Sequence, residues 1–534
     1  MWRKYNHNSG KIIFLILRRD RVSIVAWLIG IIALTLIVAA AYPELASTEH
    51  ERAVMAETMK NPAITAMFGP GYGLDDYHYG AIMSHQMLLF TALAVAIMSI
   101  LLFVRHTRGD EERGLTEMIR SLPAGRLSTL SAATFVMFAV NILLALLVGI
   151  GLAVLGIEGI DFGGSMLYGA VLGVTGIFFT AVTALFAQLS ETSRGASGLS
   201  FAFLGVSYII RGAGDVGNET LSWLSPLGWV LRAEVYVNNY WWPVLMTAGA
   251  ALLVLFFSLY LNSIRDLGAG IIPSKPGRIN ASPFLQSVFG LALRLQRTSI
   301  IAWSFGMLIL GASYGSVLGD LEGYLESMEL LRDMLPPMEG FSLTEQFLTM
   351  LMAVMAMICA IPVLLTIFRL RAEEKNNRSE QLFAKSVSRT NVLGSYMLIS
   401  FFLAFLTMSL SAVGLWSAGV TVLDEPLTFT TVFNAAMVYL PSLWMMMALA
   451  VFFTGIAPNL TIIPWLYLGY SFLVVYMGGI MQFPEWLAKL SPFGNTPQLP
   501  VEEMSFAPLA VITALAILFI GAGFMGYNNR DIEG

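Results

Sequence analysis

Twelve apolar runs divide this chain, most of them as long as the ~20 residues a helix needs to cross a hydrocarbon layer. They are Val22–Tyr42, Gln86–Val104, Ser128–Leu155, Ser165–Phe186, Ala196–Ile210, Trp242–Asn262, Ser299–Leu318, Phe347–Phe368, Val392–Ala418, Thr431–Thr454, Thr461–Ile480 and Phe506–Tyr527. Inside lipid every backbone N–H and C=O must find its partner within the segment, so such runs are helices. Composition agrees: 57% of the 534 residues are hydrophobic and 12% are charged, whereas a soluble domain carries about 25% charged residues. The predicted class is an all-α integral membrane protein of about twelve spans. Ala196–Ile210 is short, because Arg194 and Arg211 bracket it.

Lys and Arg favour the cytoplasmic side of a membrane. With the N-terminus inside, 24 of the 30 basic residues fall on that side: six in 1–21, five in 105–126, Arg194, five in 265–297, six in 369–389 and Arg530. Of the 35 acidic residues, 23 fall outside and 12 inside. Both termini are therefore expected in the cytoplasm. Basic residues before Val22 and the run Ala39-Ala40-Ala41 also suit a cleavable signal. An internal copy of the same segment, where cleavage could not occur, predicts that the span is retained.

That copy belongs to a repeat. Arg21-Val-Ser-Ile-Val-Ala-Trp27-Leu-Ile-Gly30 aligns without a gap on Arg297-Thr-Ser-Ile-Ile-Ala-Trp303-Ser-Phe-Gly306. At an offset of 263, Arg108, Asp110, Glu111, Glu117 and Arg126 align with Arg371, Glu373, Glu374, Glu380 and Arg389. Leu224-Ser-Pro-Leu-Gly228 aligns with Leu490-Ser-Pro-Phe-Gly494, and Arg265-Asp266 with Arg530-Asp531. Six spans per half give both halves one orientation, so they are expected as parallel repeats about a pseudo-two-fold axis normal to the membrane. The halves are 1–265 and 299–534, joined by a linker and membrane-surface helix at 266–298.

Several chemistries are excluded. One cysteine, Cys359, makes no disulfide framework, and the five histidines form no ligand pair at helical spacing. Every charged residue can be placed in a loop or at a span end, which argues against a proton- or sodium-coupled antiporter, since such carriers keep ionisable groups inside the membrane. No Gly-x-x-x-x-Gly-Lys-Ser/Thr phosphate loop occurs. Energy must then come from a separate ATPase, and two loops could receive it, 105–126 and 369–391. In the first, Leu115, Met118, Ile119 and Leu122 fall at i, i+3, i+4, i+7, with Pro123 to end the helix. The second carries Leu382, Phe383 and Val387. Anchoring to lipid headgroups and docking to a partner both fit; the acidic–basic order recurring in both halves favours docking.

At these residues the sequence resembles the permease subunits of type-2 ATP-binding-cassette exporters, in particular the fused twelve-span bacterial branch that exports polyketide antibiotics and tetracycline-type drugs. The matching motif is Glu111-Glu112-Arg-Gly-Leu-Thr-Glu117…Leu122-Pro123-Ala-Gly-Arg126. The second half departs from it, with Lys375 opposite Glu112 and Ser386 opposite Pro123. The resemblance implies ATPase coupling through Glu111, Glu112, Glu117, Leu122 and Pro123, and through Glu374, Glu380 and Val387. It implies two copies of an ABC-type ATPase that bind the ATP and Mg, with no cofactor in this chain, no metal and no nucleic-acid partner. It implies membrane-surface helices at Asn6–Arg21 and Ser282–Thr298, and short outer helices within Gly212–Trp241 and Gln482–Glu503 as a lid. The substrate would be a hydrophobic or amphiphilic compound leaving across the bacterial cytoplasmic membrane. An apolar, aromatic path could use Met350, Met352 and Met355 of one span and Tyr467, Tyr470 and Tyr476 of another, although such residues more often pack helices. A proton-coupled drug antiporter and an exporter of lipid or peptide are the alternatives; a membrane transferase ranks last, because the outer acids are dispersed.

Overall fold

The computed structural model describes residues 7–273, 279–320, 341–375, 378–385, 387–423, 427–476 and 484–531. Ser386, most of the loop Leu318–Gln346 and the start of Gln482–Glu503 lie outside them. Among the described residues every regular element is helical, and twelve helices are long and apolar enough to cross a membrane. In the first unit they are α1 Ser9–Leu45, α2 Tyr79–His106, α3 Ser128–Val154, α4 Phe162–Leu189, α5 Ser193–Val216 and α6 Trp242–Ile264. In the second they are α7 Val288–Val317, α8 Leu343–Lys375, α9 Arg389–Val422, α10 Phe429–Ile456, α11 Pro458–Tyr476 and α12 Phe506–Asn529. The two compact units meet in sequence between Gly277 and Arg278.

Charge decides where reading apolar runs stops short. The fifth span, expected over Ala196–Ile210, continues to Val216, because Arg211 and Asp215 sit one turn apart and neutralise each other at 3.1 Å. Among the described residues the surface helix expected at Asn6–Arg21 is not a separate element, since α1 runs unbroken for 37 residues. At 1.5 Å per residue that is about 55 Å, well beyond the ~30 Å hydrocarbon layer. Asp20, near the end of the predicted surface segment, is 1% exposed and paired, so nothing breaks the helix there. Likewise α7 starts at Val288 and absorbs most of Ser282–Thr298. In α10 the residues Val438 and Tyr439 interrupt the helix just before Pro441, which cannot donate to a preceding turn.

The same burial order recurs in each unit. In the first, 67% and 78% of the apolar stretches of α2 and α4 are buried, against 28%, 33% and 22% for α1, α5 and α6. In the second, α8 and α10 reach 72% and 61%, against 17%, 22% and 22% for α7, α11 and α12. The second and fourth helices are thus the inner pair of each unit, and the outward faces of the others are large apolar side chains such as Phe14, Val22, Ile29 and Ile37.

Glycine sets the closest approaches. Gly311, Gly315 and Gly319 recur every four residues, and a Cβ on Gly315 would lie 2.3 Å from the Leu415 carbonyl oxygen. Facing them, a Cβ on Gly414 would lie 2.2 Å from the Leu308 carbonyl oxygen. Backbones this close gain dispersion contacts where lipid supplies no hydrophobic drive between helices.

Candidate functional site

In the loop after α2, Arg108–Glu112 forms one short helix and Leu115–Ser121 another. Gly114 stands between them at φ +73°, a left-handed conformation that glycine adopts without penalty. Arg108 is 1% exposed. Its Nε donates to the Ala187 carbonyl at the end of α4 (2.7 Å), its Nη2 donates to the Ala269 carbonyl (2.7 Å), and its Nη1 lies 3.2 Å from Glu111. Glu111 accepts from Arg265 Nη2 at the end of α6 (2.9 Å) and from the Gly268 N–H (2.7 Å). Burial pushes the Glu111 carboxyl up, but the Arg265 hydrogen bond and charge, the Gly268 N–H and Arg108 outweigh it and hold it below the usual range.

The second unit repeats this arrangement. Arg371 lies 3.3 Å from Glu374, and Arg530 at the end of α12 grips both Glu374 oxygens at 2.8 and 2.7 Å. The Tyr527 hydroxyl donates to Glu374 at 2.8 Å. Glu374 is 0% exposed. Arg126 donates to the Arg265 carbonyl at 2.9 Å, and its sequence counterpart Arg389 donates to the Arg530 carbonyl at 2.5 Å. Three of the pairs at the 263-residue offset, Arg108 with Arg371, Glu111 with Glu374 and Arg126 with Arg389, therefore play one role twice. Each loop is locked to the last turn of its own unit's sixth helix.

A further network distinguishes the first unit. Arg19 of α1 binds both oxygens of Asp110 (2.9 and 2.8 Å), while Asp20 meets His106 Nε2 at 2.5 Å and Arg105 at 3.0 Å. In the second unit Gln296 stands at the position of Asp20 and Leu295 at that of Arg19. Glu373, the counterpart of Asp110, pairs with Arg369 and Arg378 at 2.9 and 3.2 Å.

The predicted coupling residues divide by direction. Glu111 and Glu374 face inward as the braces just described. Glu112 also turns back, accepting from Ser193 N (2.8 Å) and Oγ (2.6 Å) at the first residue of α5. Glu117, Met118, Leu122 and Pro123 face outward, with Met118 67% and Leu122 64% exposed. The continuous apolar stripe expected from Leu115 to Leu122 is split, because Ile119 packs on the unit's own core. Carbonyl Pro123 is held by His7 Nδ1 at 2.8 Å and Asn8 Nδ2 at 2.7 Å, which ties the loop to the start of α1. In the second loop Glu380 is exposed, whereas Val387 packs against its unit's core.

Residues proposed for a substrate path have packing partners. Met352 and Met355 are 0% exposed within the second unit's core, and Met350 packs against it. The Tyr467 hydroxyl donates to Leu490 O (2.6 Å) and that of Tyr470 to Leu487 O (2.8 Å), so both hold the segment that follows α11. Tyr476 stacks on Phe472 at 5.1 Å. Among the described residues no three His, Cys, Asp or Glu side chains converge to hold a metal.

The repeated segments before α6 and α12 also match in detail. Ser225 and Ser491 each accept at Oγ from the N–H two residues on, at 3.2 Å, and Leu227 and Phe493 are buried. A Cβ on Gly228 would lie 2.3 Å from the Ser222 carbonyl oxygen, and one on Gly494 2.2 Å from that of Ala488, six residues back in both cases.

Comparison with known proteins completes the picture. A family model described as the C-terminal domain of the multidrug efflux system permease Rv1217c matches residues 11–260 and 285–528, ranges that contain both braced loops. The chain is 34% identical over 524 residues to the multidrug efflux system permease protein Rv1217c of Mycobacterium tuberculosis (strain ATCC 25618 / H37Rv). That match covers 97% of this chain and 94% of the relative. Twelve apolar helices and a relative matched almost end to end lead to one assignment: this multi-pass membrane protein belongs to the Rv1217c multidrug efflux permease family.

Proposed function

We propose that the chain is the transmembrane subunit of an ATP-driven exporter of hydrophobic or amphiphilic compounds in the bacterial cytoplasmic membrane. Both termini and the loops 105–126 and 369–391 then face the cytoplasm, and the two units are parallel repeats about a pseudo-two-fold axis. The observation that carries this reading is the bracing of the first loop. Through Arg108 it reaches α4 and through Glu111 the end of α6; Glu112 reaches α5 and Pro123 the start of α1, while the loop itself continues α2. A force applied to Leu115–Ser121 would be shared by five of the six helices of the unit. The part left facing outward, Met118 and Leu122, is the apolar contact such a force requires.

A separate ATPase supplies that force, since the sequence holds no phosphate loop of its own. Two ATPase copies per chain fit the two braced loops. The buried Asp20–His106 pair offers a second reading, a proton relay driving antiport. Purification from the native host under mild detergent, with partner copies counted by native mass spectrometry, separates the two. Two ATPase copies and export driven by ATP are expected. Export in proteoliposomes by the chain alone, driven by a pH gradient, would sink the ATP-driven reading.

A further inference from the structure

A recess of about 280 Å³ opens in the second unit between the start of α7, the end of α8, the short helix Arg378–Phe383 and the first turns of α9. Its apolar wall comes from Val288, Leu291, Ala292 and Leu295 of α7, faced by Leu370 and Leu382.

The repeat explains why this space exists. At the 276-residue offset that aligns Trp27 with Trp303, Ala292 stands where the first unit has Ile16, and Leu295 where it has Arg19. Ile16 is 5% exposed, and Arg19 reaches across to Asp110. Ala292 has three fewer carbons than Ile16, and Leu295 offers Glu373 no charge. Glu373 turns to Arg369 and Arg378 instead.

Two observations point to an occupant. Ser379 lines the recess at 2% exposure, and its Oγ has no hydrogen-bond partner among the described residues. Buried hydroxyls are almost always paired. Lys385 also lines it, exposed and without an ion-pair partner among the described residues, beside Arg378, whose side chain is 60% exposed. The surrounding stretch 369–389 holds six basic residues against Glu373, Glu374 and Glu380.

We propose that this recess binds one acyl chain of an acidic phospholipid, its phosphate at Lys385 and Arg378 and an ester oxygen accepting from Ser379. Size favours a single chain: a 150 Å³ cavity holds benzene, so this recess takes roughly ten carbons, while drug-sized ligands need ~300–1,000 Å³. Charge favours an acidic headgroup, which basic clusters at a membrane surface attract. The inference goes beyond the export reading and does not depend on an ATPase.

The full chain, delipidated in neutral detergent, is titrated with phosphatidylglycerol or phosphatidylcholine of equal chain length. Bound lipid is counted by native mass spectrometry and the unfolding midpoint is recorded. Phosphatidylglycerol should bind once and raise the midpoint; phosphatidylcholine should do neither. Lys385→Gln should bind phosphatidylglycerol about fivefold more weakly, the share of one lysine near an acidic surface. Ala292→Ile, which restores the first unit's side chain, should abolish the bound copy while keeping its lipid-free midpoint. If Ala292→Ile does not fold, Lys385→Gln, at an exposed position, decides the matter. Equal retention by Lys385→Gln, or equal stabilisation by both lipids, overturns the proposal. Binding of free laurate without phosphatidylglycerol also overturns it, in favour of a fatty acid.

Discussion

Replacing Glu374 by alanine should unfold the second unit far below the temperature the native chain withstands. Glu374 is 0% exposed, and its partners Arg530 and Arg371 are only 12% and 13% exposed. Alanine would leave two nearly buried guanidiniums with no counter-charge, and removing one partner of a buried ion pair costs about 3–5 kcal/mol. Tyr527 would lose its acceptor, worth about 1 kcal/mol. Because the two losses share one site they do not simply add, and about 4 kcal/mol is the expected total. For a unit of this size about 2–4 °C accompanies each kcal/mol, so the midpoint should fall by roughly 8–16 °C. The assay is built into the chain. Cys359 is its single cysteine and is buried in the second unit's core, so a dye that fluoresces on thiol capture reports that unit's opening on heating. The double variant Glu374→Met/Arg530→Met should recover more than half of the loss, because apolar replacement of both partners is often neutral. A fall of less than about 3 °C for Glu374→Ala would refute the claim that this carboxylate braces the unit.

Three other outcomes follow from the packing. Gly315→Val should cut folded yield sharply, since even its Cβ would lie 2.3 Å from the Leu415 carbonyl, and overpacking costs at least ~1–3 kcal/mol. Gly198→Ala, inside α5 with nothing within 4 Å, should be neutral or raise stability slightly, by up to ~1 kcal/mol. Tyr470→Phe removes the hydrogen bond to Leu487 and should speed protease cleavage near 484–490, with about 1 kcal/mol lost locally.

The sequence made the spans and the paired charges legible for one physical reason. A charge at a membrane boundary must be satisfied, so residues kept in register in both halves were candidates to be satisfied alike. Arg108 with Arg371, Glu111 with Glu374, Arg126 with Arg389 and Arg265 with Arg530 indeed close the same contacts in each unit. Direction was not legible. Acidity alone does not say whether a carboxylate faces a partner or its own helix ends, and Glu112 finds Ser193 from 81 residues away. The unbroken α1 was hidden because Asp20 is satisfied by His106 and Arg105, contacts that only the fold creates. Met352 and Met355 satisfied a composition argument that packing answers equally well. One signal was present and unread: Gly311, Gly315 and Gly319 at four-residue spacing mark the helix contact against α9.

Coupling remains the central claim, and Leu122 tests it most directly. Its side chain is 64% exposed on a braced loop, so an aspartate there disturbs no internal contact. Val387 is a poorer probe, because it packs on its unit's core and an aspartate there would also reduce stability. Drug export and ATPase association should be measured for native chain and Leu122→Asp in the same cells at equal membrane levels. The account predicts normal insertion with export abolished and the ATPase lost or uncoupled, since an unpaired carboxylate at a buried contact costs about 2–5 kcal/mol. Full export by Leu122→Asp would mean that the loop only anchors the chain to lipid, and the coupling account would be wrong.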